Sequence, residues 1–184
     1  CLTEEPAQTY KYDDEGNLVS IHSSGNGEGE YTYDSDTQNL IRIATEGSGD
    51  YEYEYNNSNN KHLPTTVKND SVAMDLTYDA YGQTTKTVLR NTDDDLTMTS
   101  TAVYDNGLLS SVTDNTGAAV SYTYDNSRRA YIVTDAAGQA TYIGYQNAWD
   151  RVYQTYQSGL ISINFAYNKG NLTKITRGGY ITSG

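Results

Sequence analysis

The stretch Tyr122–Tyr142, YTYDNSRRAYIVTDAAGQATY, sets the pattern of the whole chain. Tyr122 and Tyr124 stand two residues apart, which puts both on one face of a strand. Asp125-Asn126-Ser127 is turn chemistry, and Tyr131-Ile132-Val133 predicts a second strand. Asp135-Ala136-Ala137-Gly138 turns the chain again, and Tyr142 opens the next copy twenty residues after Tyr122. The expected unit is therefore a β-hairpin.

The unit recurs along the chain. Its second tyrosine falls at Tyr12, Tyr33, Tyr55, Tyr78, Tyr104, Tyr124, Tyr145 and Tyr167, at intervals of 21, 22, 23, 26, 20, 21 and 22 residues. So narrow a spread over eight units marks a repeat protein. The copies begin YKYDDEGNLVSI at Tyr10, YTYDSDTQNLIRI at Tyr31, YEYNNSNNKHLPTTV at Tyr53 and LTYDAYGQTTKTV at Leu76. They continue as AVYDNGLLSSV at Ala102, YTYDNSRRAYIV at Tyr122, IGYQNAWDRVYQT at Ile143 and FAYNKGNLTKI at Phe165. Asp or Asn straight after the second tyrosine can accept a hydrogen bond from the backbone two residues on, and Gly16, Gly82, Gly107 and Gly170 can take φ > 0 to close the turn.

Alternation gives the two faces different chemistry. In Tyr51-Glu52-Tyr53-Glu54-Tyr55 a period of two places three tyrosines on one side and two glutamates on the other. Rings stacked from unit to unit are expected to form cross-strand ladders of roughly 0.2–1 kcal/mol per pair. One feature resists a regular strand. Leu18 and Ile21, like Leu172 and Ile175, are three apart and cannot share a face unless a bulge intervenes or the leucine packs against the turn.

Composition points the same way. The 184 residues include 19 Tyr but one Phe and one Trp, so much of the apolar supply carries a hydroxyl that requires a partner. Sixteen Gly against two Pro, with abundant Asn, Asp, Ser and Thr, punctuate many short strands. No apolar run approaches the ~18 residues of a membrane span. Net charge is −12 and uneven: residues 1–95 hold 19 acids and 6 bases (−13), residues 96–184 hold 5 acids and 6 bases (+1). A nucleic-acid groove needs a basic field and is not expected. The lone cysteine, Cys1, excludes an internal disulfide framework. As the first residue it fits either an acylated lipoprotein start or the cut end of a longer chain.

The pattern Y-x-Y-D-x-x-G-x-L, with T-D-x-x-G turns at Thr113–Gly117 and Thr134–Gly138, resembles the YD repeat of the Rhs family. That family includes bacterial polymorphic toxins, wall-associated proteins, toxin-complex cocoons and teneurins. The resemblance runs from Tyr10 to about Gly178. It implies a long β-sheet spiralling into a hollow shell, which encloses a C-terminal toxin in bacterial members and forms an extracellular scaffold in teneurins. No plugging core segment, no self-cleaving aspartates in that setting and no toxin tail follow the pattern here. Eight hairpins are also too few to close a spiral, so the chain resembles a wall segment.

Other chemistries find less support. His22 and His62 lie forty residues apart in different units, each near a turn, and are read as surface residues. Asp13, Asp34, Asp79, Asp105 and Asp125 occupy the repeated turn position, so they serve the repeat and do not form the facing carboxylates of a glycosidase. Asp13-Asp14-Glu15, Asp34-Ser35-Asp36 and Asp93-Asp94-Asp95 offer hard oxygens without EF-hand spacing, and Gly25–Gly29 only loosely matches a calcium β-roll. Asp93–Asp95 falls in the longest interval and predicts an extended hairpin loop. Trp149, with Asn147, Asp150 and Arg151, has the residue types of a sugar platform.

The reading is an all-β array of about eight hairpins in a curved antiparallel sheet, part of a β-spiral shell. It comprises a lead-in at 1–9, the array at 10–178 and a tail or further unit at 179–184. The expected function is structural: a shell segment enclosing or displaying a toxin or effector, secreted or at a bacterial cell surface. No catalytic, cofactor-binding or metal-binding residue is assigned. Expected partners are further repeats, a C-terminal toxin domain and other copies through open strand edges. The alternative is a surface-anchored lipoprotein or adhesive module binding glycan or protein through its tyrosine face.

Overall fold

The computed structural model describes residues 8–24, 27–91, 93, 96–146, 150–157 and 159–180. Sixteen strands follow one another in chain order, and every pairing between neighbours described within the two units is antiparallel. The all-β array of hairpins read from the sequence is thus the observed fold. The chain divides into two compact units, Cys1–Thr99 and Ser100–Gly184.

In the first unit β1 (Gln8–Tyr12) pairs with β2 (Leu18–Ser23), which pairs with β3 (Gly27–Tyr33). The series continues through β4 (Leu40–Thr45), β5 (Tyr51–Glu54), β6 (Thr66–Lys68), β7 (Val72–Tyr78) and β8 (Thr84–Asn91). Strand β9 (Thr97–Asp105) leads into the second unit, where it pairs with β10 (Leu108–Asp114). Then come β11 (Ala119–Tyr124), β12 (Ala130–Thr134), β13 (Ala140–Gln146), β14 (Arg151–Gln157), β15 (Ile161–Asn168) and β16 (Asn171–Tyr180).

The register separates the faces as alternation predicts. Tyr10 opposes Ile21, Tyr31 opposes Ile43, Ile43 opposes Tyr51, and Tyr53 opposes Val67, forming an aromatic and aliphatic row on one side of the first unit. The other side is charged. Lys68 Nζ meets both Glu52 (3.2 Å) and Glu54 (2.8 Å), Arg90 forks onto Asp75 at 2.8 and 2.9 Å, and Arg42 pairs with Asp50. Among the described residues Ala73 is the only buried apolar residue, and no large side chain is fully buried. Stability must therefore be summed hairpin by hairpin, as in other one-dimensional arrays.

The misfit at Leu18 and Ile21 is a bulge. Lys11 pairs with Ser20 but Tyr12 pairs with Leu18, leaving Val19 as an extra residue on the return strand. Leu18 then shares the face of Tyr12, and Ile21 that of Tyr10. The same slip puts an extra residue at Ile41, Thr85, Ser110, Tyr131, Tyr153 and Thr173. The hairpin of Tyr55 is the exception. Its longer turn ends in Pro64, and β5 and β6 pair without a slip.

Candidate functional site

In this molecule the repeated feature is the seam between one hairpin and the next. At five of the bulges the residue opposite the second tyrosine, at the start of the return strand, has its carbonyl turned toward the following unit, and Pro64 is placed in the same way without a bulge. There it accepts a hydrogen bond from the second tyrosine of the next hairpin. Tyr33 Oη donates to Leu18 O at 3.1 Å, Tyr55 to Leu40 O at 2.8 Å and Tyr78 to Pro64 O at 2.8 Å. In the second unit Tyr124 donates to Leu109 O at 2.8 Å, Tyr145 to Ala130 O at 2.7 Å and Tyr167 to Val152 O at 2.9 Å. Five of these six bonds reach back fifteen residues and that of Tyr78 fourteen. Burial raises the phenol pKa values of Tyr55 and Tyr78, which keeps both as neutral donors.

A second row of bonds runs from turn to turn. Asn17 Nδ2 donates to Gln38 Oε1 at 2.7 Å, and Asn39 Nδ2 donates to Lys61 O at 2.6 Å while its Oδ1 faces His62 Nδ1 at 2.7 Å. Arg129 Nη1 reaches Asp150 Oδ1 at 2.6 Å. All three donors stand immediately before the carbonyl that the tyrosine takes. Where that residue is arginine it also covers the tyrosine ring: Arg129 lies 4.7 Å from the Tyr145 centroid and Arg151 5.5 Å from that of Tyr167. Tyr145 is thus held at its hydroxyl and on its face by consecutive residues.

Asp13, Asp34, Asp79 and Asp125 do the turn work assigned to them, whereas Asp105 ends β9 opposite Leu108. Asp125 Oδ1 accepts from Ser127 N and Arg129 N, and Asp79 Oδ1 from Tyr81 N and Gln83 N. Asp114 and Asp135 close the opposite turns in the same way. Side-chain bonds from Asn17, Thr37, Thr116 and Arg129 hold Asp13, Asp34, Asp114 and Asp125 below the usual carboxylate range, and the backbone of Gln83 does so for Asp79. Gly16, Gly82, Gly107 and Gly170 take the expected positive φ. Gln38 (58°), Arg128 (64°) and Asp150 (50°) take it without being glycine, which the sequence did not signal.

The remaining sequence candidates do not converge. His22 is an exposed residue of β2 opposite Glu28, and His62 sits in the turn against Asn39. Among the described residues no group of three His, Cys, Asp or Glu side chains is arranged to hold a metal. Asp150 and Arg151 belong to the seam, whereas Asn147 and Trp149 lie outside the described residues, as do Cys1, Gly25, Asn26, Asp94 and Asp95. No helix of the described residues is long and apolar enough to cross a membrane. The sequence predicts ring stacking from unit to unit. Among the described residues the stacked pair is Tyr142 on Tyr156 at 4.9 Å, which joins two strands of one hairpin, and the tyrosines named above join the units through their hydroxyls.

Within each of the two units the hairpins are thus bolted one to the next by tyrosine hydroxyls. Residues 104–139 match the family model described as RHS Repeat, the repeat that the motifs resemble. No curated protein matches the sequence. Among solved structures, the crystal structure of TcdB2-TccC3-Cdc42 aligns over 92% of this chain and 11% of its own, with TM-score 0.60 and 13% identity. The Tc holotoxin pore of Photorhabdus luminescens aligns over 94% and 12%, with TM-score 0.57 and 16% identity. TcdB2-TccC3 without its hypervariable C-terminal region gives 94%, 12%, 0.57 and 17%. The fold is shared at low identity, and the chain spans 11–12% of the length of these structures.

Proposed function

We propose that this chain is a structural wall segment of a larger Rhs/YD-repeat shell, secreted or at a bacterial cell surface, whose further repeats enclose or display a toxin or effector. The observation that carries the reading is the seam. Among the described residues the strands touch their chain neighbours, and the specific bonds within each unit join one hairpin to the next. An architecture of this kind extends by adding units and builds surface, where an enzyme would converge side chains on a pocket. The similarity to slices of the TcdB2-TccC3 structures supports the same reading at the level of fold.

On this reading no residue performs catalysis, and the enclosed polypeptide is held away from its producer by a hydroxyl-rich, tyrosine-bearing wall. The test is limited proteolysis of the full-length natural product. A non-array segment that resists protease until the array itself is cut supports encapsulation. Cleavage of every flanking segment as fast as its isolated counterpart overturns it, and leaves a scaffold that displays without enclosing.

A further inference from the structure

The second unit contains a groove that the wall role does not require. It has a volume of about 480 Å³ and runs across β13 to β16 on the apolar face, lined by Thr141, Thr155, Gln157, Leu160, Ile163 and Arg177 together with Tyr156. The register sets its floor. Thr155 is opposite Ile163, and Ile163 is opposite Arg177, so these three form one row across three strands. Neighbouring members of such a row are about 4.5–5.5 Å apart at Cα. Leu160 and Ile163 are 46% and 39% exposed, so the groove offers an apolar wall to solvent.

Arg177 marks one end with charge. Four cations of the described residues meet carboxylates: Arg42 with Asp50, Lys68 with Glu52 and Glu54, Arg90 with Asp75, and Arg129 with Asp125 and Asp150. Arg177 meets none among the described residues, and the groove lining contains no acid. Two of the five acids of residues 96–184, Asp125 and Asp150, are already taken by Arg129. A guanidinium presents a planar fork that matches a carboxylate in two parallel bonds. At the β13 end of the groove, away from Arg177, the Thr141 hydroxyl accepts from Gln157 Nε2 at 2.8 Å and keeps its own proton to donate.

We propose that this groove binds a small amphiphilic carboxylate, with the carboxylate on Arg177 and an alkyl or aryl tail against Leu160 and Ile163. The volume falls within the roughly 300–1,000 Å³ of small-molecule sites, and an apolar lining with few polar groups is their usual make-up. The apolar wall disfavours an inorganic anion, which would leave Leu160 and Ile163 in water. The single cation disfavours a polyanion, which would leave charge unpaired.

The probe is octanoate, with octanol and octylamine as comparators, titrated below their micellar concentrations into the full chain. Binding is read by calorimetry and by methyl NMR. The expected result is a saturable octanoate shift of the Leu160 and Ile163 methyls, with methyls of the first unit unmoved. Arg177→Gln should weaken binding by at least about tenfold and Arg177→Lys by less. Because Arg177 is exposed, both variants keep the fold, which the unmoved methyls verify. Equal binding of octanol or octylamine, retention of full affinity by Arg177→Gln, or no saturable shift with octanoate up to its solubility limit each overturns the proposal.

Discussion

The Tyr145 hydroxyl donates to the Ala130 carbonyl at 2.7 Å across the join between two hairpins, while the guanidinium of the preceding residue, Arg129, lies 4.7 Å above the same ring. The acceptor is available because β12 slips by one residue at Tyr131. Three features of separate origin, a bulge, a cation and a phenol, therefore meet at this join. The hydroxyl is the smallest part that can be removed alone.

Tyr145→Phe keeps the ring, the cation contact and the strand, and leaves the Ala130 carbonyl without its donor. The expected cost is about 1 kcal/mol. It should appear as a lower urea midpoint with an unchanged slope, and as faster amide exchange in β12 and β13 than in β9 and β10. Uniform loss of protection over the second unit would show that the hairpins unfold together.

Arg129 joins its own turn to the next one, since it holds Asp125 through Nε and Nη2 and Asp150 through Nη1. Arg129→Lys cannot make these contacts at once or cover the Tyr145 face equally well. Its melting temperature should fall almost as far as that of Arg129→Ala and well below that of Lys86→Ala. Full rescue by lysine would mean that net charge alone matters at this position.

Acidification tests the turn aspartates. Asp13, Asp34, Asp79, Asp114 and Asp125 all titrate below the usual carboxylate value in the folded chain. A group depressed on folding contributes stability that is present above its unfolded pKa and is lost as pH falls through the folded one. The array should thus keep its urea midpoint from neutrality down to about pH 4 and lose it progressively below. Asp114→Asn and Asp125→Asn should each flatten that acid limb. An acid limb identical in both variants would place the titration elsewhere.

Gly144 carries a packing constraint, because a Cβ built there would lie 2.8 Å from the ring of Tyr153, the extra residue of the β14 bulge. Gly144→Val should destabilise the second unit in denaturant unfolding, and Tyr153→Ala in the same chain should recover part of the loss. Absence of recovery would attribute the cost to the strand backbone and not to the ring.

The hairpins, their two faces and the aspartate turns were legible because each rests on side-chain identity: alternating Tyr and Glu in Tyr51–Glu54, Asp at position 125, Gly at position 82. The seam was not, for physical reasons. Its acceptor is a backbone carbonyl, which leucine, proline, alanine and valine supply equally well at Leu18, Pro64, Ala130 and Val152. The extra bulge residue has no shared chemistry either, being Val19 in one unit and Tyr153 in another. What the sequence did show was the trace of the bulge, the three-residue spacing of Leu18 and Ile21. The positive φ of Gln38, Arg128 and Asp150 gave no such trace, because bonds within and between turns impose it on residues that do not prefer it.

The fifteen-residue reach of the tyrosine bond makes the length of this chain change in quanta. Inserting or deleting one whole hairpin moves donor and acceptor together and leaves every join with the partner geometry it had. Adding a single residue between Ala130 and Tyr145 alters the count within one join and flips every side chain up to the next turn to the wrong face. The array can therefore grow or shrink by whole units, and it resists single-residue change between acceptor and donor, while the one-residue differences among intervals of 20, 21 and 22 fall in the turns before each acceptor.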